Sequence, residues 1–117
     1  MESTLVYLIN TKERKVEARR ILSTRDVRTL IGGGLELAYF DHVTKNALYV
    51  DGDGMRNSPT TVFAFALRLD QFLYGNGVWV GQEIEDESGD GFYYAPPAIS
   101  LEDLWQLVRF PDSVGRF

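Results

Sequence analysis

The sequence predicts an α+β domain: mostly an antiparallel sheet of hairpins, with a short helix after the second strand and an amphipathic helix near the C-terminus. Three observations carry this. Runs rich in strand formers come in pairs separated by short polar turns. Apolar residues recur at helical spacing in two places, Val27-Leu30-Ile31 and Leu101-Leu104-Trp105-Val108. No internal repeat or linker divides the 117 residues, so 1–117 is expected to be one domain.

Leu5 to Asn10 reads as a buried strand ending in the polar turn Thr11 to Arg14. Val16 to Ile21 alternates apolar with charged residues, the period-2 mark of a half-exposed strand pairing back on the first. Ser23 and Asp26 form a capping-box pattern ahead of Val27, Leu30 and Ile31, and Gly32 ends that helix. Arg25 and Arg28 then fall on its solvated side. The run Gly32-Gly33-Gly34 follows the helix, whereas phosphate-cradling glycines precede one, so a C-cap and loop is expected. Leu35 to Phe40 and Ala47 to Asp51 read as a second hairpin around Asp41 to Asn46.

Asp51-Gly52-Asp53-Gly54 is expected to be a turn: counting an EF-hand from Asp51 puts Met55, Arg56 and Val62 where ligands and a glycine belong. Thr60 to Leu67 is apolar on both alternations, and its threonines, Val62 and phenylalanines favour a strand. Arg68 to Tyr74 reads as a helical turn or loop. Val78 to Gln82 reads as a strand, followed by an acidic loop from Glu83 to Asp90. In the C-terminal helix, capped by Ser100 and Asp103 and stopped by Pro111, Trp105 is expected to be buried against the sheet. Its replacement by Ala would then cost about 3–5 kcal/mol, and an exposed Trp105 would instead mark the helix as a homodimer interface.

With 44% hydrophobic and 25% charged residues, and two Trp, six Tyr and seven Phe, the chain has material for a core. Folding should remove roughly 65% of the surface of the extended chain. No cysteine is present, so disulfides, thiolate zinc sites and thiol catalysis are excluded, and a reducing compartment is suited. Met1-Glu2-Ser3-Thr4 has no basic leader region and no run approaches a membrane span; a cytoplasmic protein without a membrane partner is the expectation.

The net charge of −5 hides a polarity along the chain. Lys12 to Arg28 holds seven basic and three acidic residues, while Glu83 to Asp103 holds seven acidic and no basic ones. Five of those carboxylates, Glu83, Glu85, Asp86, Glu87 and Asp90, crowd into eight residues. Like charges at that density are solvated, pair with the basic segment or meet a cationic partner. Individual surface pairs contribute about 0–1 kcal/mol, but a focused patch of one sign steers an oppositely charged partner.

Few residues could do chemistry. His42, the one histidine, falls in a hairpin turn with no partner to orient it, and zinc lacks donors. The acidic run offers oxygens for calcium but no ordered ligand spacing, and its polar setting does not raise a carboxyl pKa for glycoside chemistry. Phe92-Tyr93-Tyr94 reads as strand packing. With a sequence pI near 4.8, direct nucleic-acid binding is disfavoured. The expectation is a protein with no enzymatic activity, cofactor or metal.

Val6-Tyr7-Leu8-Ile9-Asn10, the helix closing at Ile31-Gly32, Leu48-Tyr49-Val50-Asp51 with its glycine, and Leu73-Tyr74-Gly75-Asn76-Gly77-Val78-Trp79-Val80-Gly81 together resemble a family of small uncharacterised proteins of phage, prophage and plasmid genomes, over about residues 5–83. The resemblance implies an accessory protein of a mobile element acting in the host cell, and brings no catalytic residues with it. Two functions suit these features. One is a noncatalytic inhibitor of the anti-restriction or anti-CRISPR type, whose Glu83, Glu85, Asp86, Glu87 and Asp90 occupy a basic surface of a host protein. The other is a small-molecule or nucleotide-sequestering protein, with Arg19, Arg20, Arg25 or Arg28 holding phosphate and Tyr39 or Trp79 stacking a base.

Overall fold

A computed structural model describes residues 3–53, 64–67, 72–89 and 91–110. It is an α+β structure, mainly antiparallel sheet with two helices. Strands β1 (Thr4–Asn10), β2 (Lys15–Ile21), β3 (Leu35–Phe40), β4 (Ala47–Asp51) and β7 (Gly77–Val80) make a five-stranded sheet in the order β2-β1-β7-β4-β3. Both expected hairpins are present: Tyr7 lies opposite Ala18 in β1–β2, and Leu37 opposite Tyr49 in β3–β4, with a bulge before Tyr39.

The strand between the hairpins is β7, which pairs antiparallel with β1 (Tyr7 opposite Trp79) and with β4 (Leu48 opposite Trp79). Its sequence, Gly-Val-Trp-Val, is buried at every position, because a central strand covered on both faces has no solvated side. It is shorter than Val78 to Gln82: Gly81 and Gln82 leave the ladder.

Period-2 alternation sorts the core into two layers. On one face Val6, Leu8, Val78 and Val80 meet Val27 and Ile31 of α1 (Arg25–Ile31) and Tyr94. On the other, Tyr7, Ile9, Leu48, Val50 and Trp79 meet Phe65 of β5 (Ala64–Leu67), Leu104 of α2 (Leu101–Leu107) and Val108 of β10 (Val108–Arg109). Each fully buried Val, Leu, Ile or Phe contributes about 1.5–3 kcal/mol relative to exposure. Strand β5 pairs with β10 and with β6 (Phe72–Tyr74), so part of the segment read as a helical turn or loop is a strand. Gly77 allows this second sheet its close approach, since a β-carbon there would lie 2.7 Å from Phe65 Cζ. Residues 60–63, 68–71, 90 and 111, on which expectations were placed, lie outside the described residues.

Helix α1 begins without a side-chain cap from Thr24. Instead the Asp26 carboxylate reaches back, and its Oδ2 accepts from Leu22 N–H at 2.8 Å and Ser23 N–H at 3.2 Å. It ends as expected at Gly32, whose φ of 84° is left-handed and whose N–H donates to Arg28 O at 2.8 Å. In α2, Ser100 Oγ accepts from Asp103 N–H at 3.1 Å. Here one expectation fails: Trp105 is 39% exposed, and Leu104 is the fully buried residue. Val108, counted into the helical stripe, already belongs to β10, so the helix turns Leu104 to the core and Trp105 to its flank.

Candidate functional site

The segment expected as an acidic loop is a two-stranded hairpin. Strand β8 (Glu83–Glu85) pairs with β9 (Phe92–Tyr94), placing Glu83 opposite Tyr94, Ile84 opposite Tyr93 and Glu85 opposite Phe92. The correction has a local cause: Glu-Ile-Glu alternates with period 2 and faces an aromatic strand, and cross-strand aromatic pairing holds it despite the charge. Asp86 closes the turn. Its N–H donates to Gly91 O at 2.8 Å, its O accepts from Gly89 N–H at 2.9 Å, and its Oδ1 accepts from Ser88 N–H at 3.2 Å, with Gly89 at a φ of 74°.

Glu83, Glu85, Asp86 and Glu87 are all exposed. Among the described residues no ion pair joins them to the basic segment from Lys12 to Arg28; the pairs formed are Lys15–Glu17 at 3.2 Å and Arg19–Glu17 at 2.7 Å, both within β2. The Arg19 hydrogen bond, above all, lowers the Glu17 carboxyl pKa. The hairpin also shows two aromatic rings, Phe92 at 42% and Tyr93 at 50% exposure, whereas Tyr94 is buried under the main sheet. Alternation turns Tyr93 away from Tyr94, while Phe92 shares the face of Tyr94, its ring edge-on at 5.5 Å, and stays exposed; the aromatic trio read as packing supplies one core residue and two surface ones. Burial, then contact with Tyr49 and the charge of Glu83, raise the Tyr94 pKa.

The four arginines do not converge. Arg19 and Arg20 are neighbours on β2 and point to opposite faces, and Arg19 is engaged by Glu17. Arg25 and Arg28, one turn apart on α1, line a cavity of about 740 Å³ with Gly33, Leu35, Phe92 and Tyr94. A second cavity of about 660 Å³ runs past Arg20, Leu22, Ile84, Asp86 and Tyr93, and shares Thr24, Phe92 and Tyr94 with the first.

Trp79 cannot stack a base. It is 3% exposed on the sheet face away from α1, with Tyr39 stacked on it at a centroid distance of 5.8 Å. When the buried Asn46 amide is turned so that its oxygen faces both donors, that oxygen accepts from Trp79 Nε1–H at 3.3 Å and Ala98 N–H at 3.2 Å. Trp79 is therefore used structurally, while Tyr39, which covers it, is 44% exposed. His42 is exposed with its ring edge-on to Phe40 at 5.0 Å. Among the described residues no three His, Cys, Asp or Glu side chains are grouped to hold a metal ion, and no helix is long and apolar enough to cross a membrane. The chain matches no protein-family model, no curated protein and no solved structure.

Proposed function

We propose that this is a noncatalytic binding protein of a phage or other mobile element, an inhibitor of the anti-restriction or anti-CRISPR type that docks on a basic surface of a host protein through the β8–β9 hairpin. The observation that carries the reading is the set of exposed carboxylates, Glu83, Glu85, Asp86 and Glu87, beside the exposed rings of Phe92 and Tyr93 and without a cationic partner among the described residues. Aromatic anchors rimmed by charge suit protein recognition: rings supply buried area in a complex, and charge sets encounter rate and register. Carboxylates spaced along a hairpin imitate the anionic row that a nucleic-acid-binding surface is built to receive.

The test replaces Glu85, Asp86 and Glu87 by Gln, Asn and Gln. These exposed side chains can change with about 0.5 kcal/mol or less of stability. Binding to a basic host partner weakens, chiefly through slower association, and the parent complex loses affinity as salt screens charges over about 8 Å. Undiminished capture of the partner by the triple variant rejects the reading.

A further inference from the structure

We propose that the cavity beside α1 binds a nucleoside phosphate, with Arg25 and Arg28 on the phosphate and Phe92 against the base. The site shares Phe92 with the docking hairpin, but none of the docking carboxylates lines this cavity. Residues three apart on a helix hold their β-carbons about 5–6 Å from each other, so both arginines, which line the one cavity, are within reach of a single anion. Neither has an ion-pair partner among the described residues, and a guanidinium fork matches phosphate oxygens in a bidentate way. Thr24 and Thr29 add hydroxyls to the same wall.

The opposite wall is apolar: Leu35, Tyr94 and the half-exposed ring of Phe92. A bare anion would leave it unused, whereas a flat ring stacks on it. The volume of about 740 Å³ lies within the usual range of small-molecule sites, about 300–1,000 Å³. Phe92 also borders the second cavity, so a base lying on it extends away from Arg25 and Arg28. Glu83 and Glu85 do not line the basic cavity, and Asp86 lines the second one, which orients the phosphate toward α1 and the ring toward the hairpin.

Titration calorimetry of the full chain with adenosine and guanosine mono-, di- and triphosphates, beside inorganic phosphate and the free nucleosides, decides the matter. Saturable heat is expected for nucleotides, with phosphate alone and nucleoside alone each at least tenfold weaker. Arg25→Gln with Arg28→Gln, both exposed and so compatible with the fold, reduces affinity at least tenfold and flattens its salt dependence. Phe92→Ala reduces it by about tenfold or more, the usual effect of removing a stacking ring. Glu85→Gln with Glu87→Gln, neither of which lines either cavity, does not weaken it, which separates this site from the docking carboxylates. Absence of heat for every nucleotide, or affinity unchanged in the double arginine variant, overturns the proposal; phosphate binding as tightly as nucleotides overturns the part played by Phe92.

Discussion

Gly33 and Asp51 pack so closely that a β-carbon on Gly33 would lie 2.6 Å from Asp51 Oδ1. The contact joins the loop after α1 to the end of β4, where the same oxygen accepts from Asp53 N–H at 2.8 Å. Gly33→Ala should force the buried carboxylate aside and destabilise the protein by about 1–3 kcal/mol, as overpacking does. Gly34, with nothing within 4 Å of its virtual β-carbon, is the control. Its replacement by Ala should change the urea midpoint little, and equal effects at the two positions would remove the close approach as the cause.

The helix α2 gives a second prediction. Leu104 is fully buried, so Leu104→Ala should cost about 2–5 kcal/mol, while Trp105→Ala should cost less than about 2 kcal/mol because much of the indole is already in water. Denaturant melts of the two variants test the order, and a larger loss at Trp105 would contradict it.

That reversal shows where local pattern stops. Helical spacing located α2, but four positions at that spacing do not say where the helix ends, and Val108 leaving it for β10 shifts the buried line to Leu104. The two hairpins were legible because strand, turn and strand are contiguous. Strand β7 was legible as a strand, yet its place between β1 and β4 was not, since pairing across distant segments leaves no local mark. In the same way, the charge of Glu83 to Glu87 masked the alternation that makes β8. The arginines were visible as residue types; their separation required knowing that Arg19 and Arg20 straddle one strand while Arg25 and Arg28 face a shared cavity.

Tyr94 ties stability to alkaline pH. Burial raises its pKa above the ordinary tyrosine value, and burial raises that of Tyr7 as well. Between the unfolded and folded values the unfolded chain has lost protons that the native state keeps, so stability falls as pH rises. The contribution is complete below the unfolded tyrosine pKa of about 10 and declines above it. Urea midpoints of the parent should hold steady up to about pH 9 and then drop, and Tyr94→Phe should show a shallower drop. Identical slopes would mean that Tyr94 ionises as easily in the native state as in the unfolded chain.

The last prediction concerns the link between the central sheet and the acidic hairpin. Gly81 follows β7 directly, and a β-carbon on it would strike the carbonyl oxygens of Ala95 and Pro96 and lie 2.7 Å from the Pro96 carbonyl carbon. These are backbone atoms, which cannot rotate away as a side chain does. Relief therefore requires the chain after β9 to move as a unit, and the Ala95 N–H bond to Gln82 O, at 2.8 Å, moves with it. Gly81→Ala should destabilise by at least about 1–3 kcal/mol and shift β8–β9 relative to the five-stranded sheet. Because Tyr94 holds the hairpin to the α1 face, amide exchange should quicken in β8 and β9 while β1 and β4 keep their protection. If the hairpin docks on a basic partner, the same variant should lose affinity with every carboxylate still in place, separating the position of the charges from their number. Uniformly faster exchange across β1, β4 and β8 would instead mean that Gly81 serves the whole sheet.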